Sequence, residues 1–420
     1  MTKDESVKPP STSRFHEGSR ATFVCLALGL AVLTASVGGC RDGRSARLGA
    51  WEGQIDSLPG GTVMVQNLGH GLWADGAGWQ LTEELRLGSL DADGPENFGR
   101  VTSVAVDDRG RMWVLEGHAG ELRVFDAAGA HVRTIGRMGE GPGEFRQPVR
   151  VDVGPAGDMW VMDPRNTRLS VFDSAGEYLS GIQVPGGFVI LPWQGGFDER
   201  GSYYAPVASF EPEFSIALGR FDQGFVPLDT IRLPVDPVER GSFDIVSDGR
   251  VRVSAGIPFQ GGLLWRLTRR GTIWALITDQ YRLMEFGPDG DTLRVATKVH
   301  QPVPVSAEER AEALEGMRWF TDQGGKVDAS RIPTEKPLAF SFFVDQEGFV
   351  WVARTESAEE DRQTFEVFDP EGQYLGEVVA PFRLQVSPAP IRIGDLLYGV
   401  VRDELDVPYL VRARLTRPEG

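Results

Sequence analysis

Two stretches, GRMWVLEGHAGELRVFD (110–126) and GDMWVMDPRNTRLSVFD (157–173), align without a gap at an offset of 47 residues. Gly110 falls on Gly157, Trp113-Val114 on Trp160-Val161, Leu122 on Leu169, and Val124-Phe125-Asp126 on Val171-Phe172-Asp173. Apolar residues alternate over short runs in both copies, and Asp/Gly turn signals separate the runs, so each run reads as a half-buried antiparallel strand. A fourth run follows each copy, from His131 to Ile135 and from Tyr178 to Val184. One unit therefore holds four short strands in ~40–50 residues, the length of a propeller blade.

Working outward, the unit recurs with drift. Gly201-Ser-Tyr203 with Phe221-Asp222 marks a third copy, Gly271-Thr-Ile-Trp274 with Phe286 a fourth, and Gly348-Phe-Val-Trp351 with Val367-Phe368-Asp369 a fifth. A sixth, through 391–400 and 409–415, ends before its fourth strand. The spare strand Thr62-Val-Met-Val65 is expected to complete it and remove an exposed sheet edge. The expected fold class is all-β: a six-bladed β-propeller closed by an N-terminal strand, with one short helical insertion.

The run Asp163-Pro-Arg-Asn166-Thr-Arg168-Leu-Ser-Val-Phe172-Asp173 resembles the NHL-repeat signature, in which Asn and Arg precede a strand ending in Val-Phe-Asp. The region from about 60 to 420 is similar to bacterial six-bladed propeller proteins of unknown function. That resemblance implies a binding platform, since NHL propellers mostly serve as such, with a few lyases among them.

Blade order sends the short Asp/Gly turns, such as Asp107 to Gly110 and Gly154 to Gly157, to one face. The opposite face receives two long insertions, at about 235–262 and 300–338. In the second, Ser306-Ala-Glu-Glu309 is a capping-box start for a helix running to Phe320. Loops placed together on a rigid scaffold commonly carry function, and neutral loop growth is the alternative. The ligand-binding candidates on this rim are His118, Arg165, Asn166, Trp193, Trp265, Tyr281, Trp319 and Lys336. Trp113, Trp160, Trp274 and Trp351 share one position in successive units and belong to the packing between blades.

Catalytic motifs are not found. Gly139-Glu-Gly141-Pro-Gly143 cannot cradle a phosphate, because Pro142 lacks an N–H and no helix follows. Asp91-Ala-Asp93-Gly94 lacks the bidentate Glu of a calcium loop. The folded region has no Gly-x-Ser-x-Gly elbow, and His16, His70, His118, His131 and His300 show no metal-ligand spacing. No catalytic or metal site and no cofactor are expected; a calcium ion in the central channel stays open, for which the inner strands offer Asp107 and Asp152.

The first 39 residues form a polar leader with Lys and Arg, an apolar run from Ala21 to Leu33, and small residues up to Cys40. The run is short for a bilayer span. The pattern resembles a bacterial lipoprotein signal, which implies that Cys40 carries the lipid. Cys25 and Cys40 are the only cysteines, so the processed chain has no disulfide. A polar tether is expected over 40–60 and the propeller over 61–420. The leader contributes +1 to a formal charge of −17. The acidic remainder argues against nucleic acid and leaves the lipid as the membrane contact.

The expectation is thus a monomeric, lipid-anchored propeller of the cell envelope, periplasmic or surface-exposed, that binds a protein, peptide or glycan and is not an enzyme. The competing expectation is a metal-dependent propeller hydrolase or lyase of the lactonase type.

Overall fold

The computed structural model describes residues 50–73, 78–90, 94–184, 196–209, 215–357 and 362–417. Six antiparallel meanders surround a common axis. The first blade runs Val101–Val106, Met112–Glu116, Glu121–Phe125 and His131–Ile135, innermost strand first. The second runs Arg150–Val153, Met159–Asp163, Arg168–Phe172 and Tyr178–Gln183; the third Gly196–Phe197, Tyr203–Ser209, Ser215–Phe221 and Pro227–Arg232. Leu263–Leu267, Ile273–Ile277, Arg282–Phe286 and Thr292–Lys298 form the fourth, and Ala339–Val344, Val350–Arg354, Gln363–Phe368 and Tyr374–Ala380 the fifth. The sixth joins Ile391–Ile393, Leu396–Arg402 and Pro408–Thr416 to Gln80–Leu87.

The turn after the innermost strand explains why the unit repeats. Asp107 Oδ1 accepts the backbone N–H groups of Arg109 (3.0 Å) and Arg111 (2.9 Å), and Oδ2 accepts Trp113 Nε1 at 3.0 Å. Asp345 does the same with Glu347, Phe349 and Trp351, and Asp198 with Arg200, Ser202 and the Tyr204 hydroxyl. One carboxylate therefore shapes the turn and fixes an aromatic side chain six residues on. Trp113, Trp160, Trp274 and Trp351 are all buried, as the repeat requires.

Ring closure differs from expectation. An N-terminal strand does complete the sixth blade, but it is Gln80–Leu87, antiparallel to Pro408–Thr416. Val63–Asn67 instead pairs in parallel with Thr292–Lys298 on the outer edge of the fourth blade. Gly53–Ser57, within the stretch expected to be tether, adds a further antiparallel strand outside it. The physical reason is that every blade ends on an unpaired outer edge, and any spare strand can cover one.

Asn67 fastens this addition. Its Nδ2 donates to the carbonyls of Thr297 and Gly372 (3.1 Å each), and its Oδ1 accepts Trp51 Nε1 (2.9 Å) and the Tyr374 N–H (2.7 Å). Because Asn67 is buried, Asn67→Ala should lower stability by about 2 kcal/mol. Limited proteolysis should then cut residues 50–67 while the six blades persist. Unchanged protection of that segment would show that the clasp lies elsewhere.

The two insertions fall between blades three and four and between blades four and five. The first is a hairpin, Ser242–Ser247 with Arg250–Gly256. The second carries helix α1 (Ala307–Gly316), the single turn α2 (Arg318–Thr321) and a 3-10 turn, Ala329–Arg331. The capping box is present: Ser306 Oγ accepts the Glu309 N–H at 3.1 Å, and the Glu309 carboxylate accepts the Ser306 N–H at 2.9 Å. The helix breaks at Met317 because Met317 and Phe320 turn inward, whereas α1 buries none of its residues.

Candidate functional site

The innermost strands bound two cavities along the axis, of about 430 and 590 Å³. Val104, Arg150, Gln346 and Ile391 line both. Among the described residues, the first cavity is lined by five arginines, Arg100, Arg150, Arg266, Arg392 and Arg402, against one carboxylate, Asp345. The second lies toward the short turns and carries Asp107, Asp108, Asp152, Asp198 and Glu199 beside Arg150 and Arg269. The axis is thus cationic in one half and acidic in the other.

Most of these charges are already engaged. Arg150 reaches Asp152 at 2.6 Å, and burial pushes the Asp152 carboxyl up while Arg150 draws it down. Arg392 meets Asp345 at 2.6 Å and Glu347 at 3.3 Å, and stacks over Trp79 at 4.8 Å. Arg402 pairs with Asp406 at 2.9 Å. Asp107 and Asp198 are spent on their turns, as described above. Among the described residues, no three His, Cys, Asp or Glu side chains come together in a way that could hold a metal ion.

The rim is built by co-folding of the insertions. Phe243, Ala255 and Ile257 of the first pack with Met317, Phe320 and Ile332 of the second in one hydrophobic cluster. Arg331 crosses between them, donating to the Ser242 carbonyl at 3.0 Å with its guanidinium 5.1 Å from the Phe243 ring. Arg240 anchors the first insertion to the fourth blade through Asp279 at 2.7 Å. Lys336 anchors the second, binding the Glu309 carboxylate and the Glu356 carbonyl.

Of the rim candidates, His118, Arg165 and Trp319 are exposed. Asn166 is not free to bind: its Nδ2 donates to the Gly139 carbonyl (3.1 Å) and to Asp163 Oδ2 (2.9 Å). Arg168 donates to the carbonyls of Glu140, Gly141 and Glu144 (3.2, 2.9 and 2.8 Å), so this Asn/Arg pair fastens the corner between blades. Trp265 packs against clusters in the third and fourth blades, and Lys336 serves the anchor just described. Trp193 and Cys40 lie outside the described residues.

Tyr281 is also structural. Fully buried between the fourth and fifth blades, it donates to the Glu366 carboxylate, which Lys298 Nζ meets at 2.9 Å. His300 sets Nε2 3.0 Å from the same group. Burial alone would push the Glu366 carboxyl up; His300, Lys298 and Tyr281 outweigh it and hold it at about 2.

Neither the axial arginines nor Glu366 was among the sequence candidates, although Tyr281, which binds Glu366, was. A signal for the former existed: at the 47-residue offset Arg150 replaces Ser103, and Arg266 and Arg392 similarly interrupt short innermost strands. Glu366 interrupts the apolar end of its strand, between Phe365 and Val367, but its partners come from the neighbouring blade.

Six four-stranded blades around this axis make the protein a six-bladed β-propeller with a co-folded rim. The DUF5128 family model, described as a 6-bladed beta-propeller, matches residues 96–187, which span the first two blades. No curated protein matches the sequence. Among solved structures, a candidate exported protein (BF0058) of Bacteroides fragilis NCTC 9343 is similar at 12% identity and TM-score 0.48, over 84% of this chain and 99% of that one. Virginiamycin B lyase from Staphylococcus aureus, in an inactive form with quinupristin, gives 11% and 0.38 over 79% and 99%. The gluconolactonase XC5397 of Xanthomonas campestris gives 12% and 0.39 over 76% and 88%. Among the described residues, no helix is long and apolar enough to cross a membrane.

Proposed function

We propose that the chain is an exported, lipid-anchored propeller whose rim binds a protein, peptide or glycan. The observation that carries this reading is the shared core of the two insertions. Ordering a residue costs about 1–2 kcal/mol of backbone entropy, so loops that merely lengthened would have little reason to converge on one cluster. Convergence makes a firm platform, and it presents Val246 (60% exposed), Val251 (57%) and Trp319 (49%) to solvent. A metal-dependent hydrolase would need open carboxylates at the axis. Asp107, Asp152, Asp198 and Asp345 are engaged and have arginines beside them, which leaves Asp108 and Glu199 as the open carboxylates described there; two are few for a metal, and this favours binding.

Cross-linking of the intact propeller to envelope extract tests the rim. Trp319→Ser, and separately Val246→Ser with Val251→Ser, should remove the partner that the wild type captures, while the urea midpoint moves little. Equal capture by both variants would sink the rim assignment. For the anchor, Cys40→Ser should shift the protein from the membrane fraction to the soluble one. A variant that stays with the membrane would show that Cys40 is not the attachment point.

A further inference from the structure

We propose that the cationic half of the axis is a binding site for a small organic polyanion, one carrying two or more carboxylate or phosphate groups. The site is separate from the rim, so either assignment can fail without the other.

Charge is the first argument. A chain of formal charge −17 gathers five arginines around a cavity of about 430 Å³ lined, among the described residues, by a single carboxylate. That carboxylate, Asp345, is saturated by Arg392, Trp351 and two backbone N–H groups. The cavity falls within the ~300–1,000 Å³ of small-molecule sites. Low-dielectric walls such as Val104, Leu267 and Phe343 focus the positive field there and repel cations.

The second argument is that part of this charge is unbalanced. Arg150, Arg392 and Arg402 have acidic partners. Arg100 and Arg266 have no carboxylate within ion-pair distance among the described residues. Arg266 is half-buried, and desolvation draws its guanidinium down to about 10, so it remains cationic at neutral pH. It donates to the Trp265 carbonyl at 2.8 Å and lies 5.3 Å from the Phe342 ring, which leaves other N–H groups for a ligand. A desolvated cation without a counter-charge is costly, and a bound anion would offset that cost.

The third argument is the kind of cation. Among the described residues, all five are arginine and none is lysine. The guanidinium fork matches the paired oxygens of carboxylate and phosphate, whereas lysine offers a point charge.

Isothermal titration of the intact propeller at low salt with citrate, with inorganic phosphate and with glycerol tests this. Citrate or phosphate should bind one to one, tighter than about 1 mM, and weaken as salt rises. Arg266→Gln and Arg100→Gln should each weaken binding by about tenfold or more. Tighter citrate binding points to a carboxylate ligand and tighter phosphate binding to a phosphorylated one. Arg100 is exposed, so its variant keeps the test open should Arg266→Gln misfold. Failure of both anions to bind more tightly than glycerol, or unchanged affinity in Arg100→Gln, would overturn the proposal.

Discussion

Glu366→Gln should destabilise the propeller by about 3–5 kcal/mol, because removing one member of a buried ion pair leaves the other uncompensated. Glu366 is fully buried, and Lys298, His300 and Tyr281 converge on it from the neighbouring blade. The Lys298 ammonium also lies 4.5 Å from the centre of the Tyr374 ring. With a neutral amide in place, that ammonium keeps its desolvation cost and loses its counter-charge.

The same substitution has a pH signature. Glu366 titrates at about 2 in the fold against an ordinary 4.5, so the unfolded chain takes up the proton first as pH falls. The contribution of the ionised carboxylate is complete above about pH 4.5 and is lost between about 4.5 and 2. Urea unfolding should therefore show a steady gap between wild type and Glu366→Gln from pH 5 upward, closing progressively below it. A gap that stays open at pH 2 would assign the effect to packing rather than to charge.

Asp345→Ala should cost a similar ~3–5 kcal/mol, for a different combination of reasons. Its carboxylate receives Arg392 at 2.6 Å, Trp351 Nε1 at 2.9 Å and the N–H groups that shape the turn. Arg392 is itself buried against Trp79 and Phe349. Loss of Asp345 therefore leaves a buried cation with only the more exposed Glu347 beside it, frees a core indole and loosens a turn together. Asp345→Asn should recover part of the loss, since it keeps acceptors for the turn while removing the charge. A urea midpoint for Asp345→Ala within experimental error of the wild type would mean that Glu347 alone suffices for Arg392.

Glu366 and Arg392 lie where the repeat departs from itself, whereas Asp345 repeats the turn carboxylate of Asp107 and Asp198. The regular unit was legible because its causes are local. Alternation with a period of two marks strands, and Asp and Gly at fixed places mark turns. A large aromatic recurs where blades press together. The capping box at Ser306 was legible for the same reason, being an exchange between residues three apart.

Tyr281 was misplaced because an aromatic residue on a loop looks the same in sequence whether it faces solvent or a carboxylate 85 positions away. Asn166 and Arg168 drew notice in the sequence as a motif, and in the structure they hold carbonyls of the corner between blades. The arginines at the axis arrive one or two per blade and form a site only when the ring closes.

By itself, then, the sequence determined the blade, its four strands, its turns, its aromatic core and the rim on which the insertions stand. Only the tertiary structure decided that Gln80–Leu87 rather than Thr62–Val65 closes the ring, that the insertions share a core, and that arginines from four blades meet at the axis. The division follows from range. Strand alternation and turn chemistry act between near neighbours, whereas an outer strand's pattern suits any open edge, and its partner is chosen by packing across more than 300 residues.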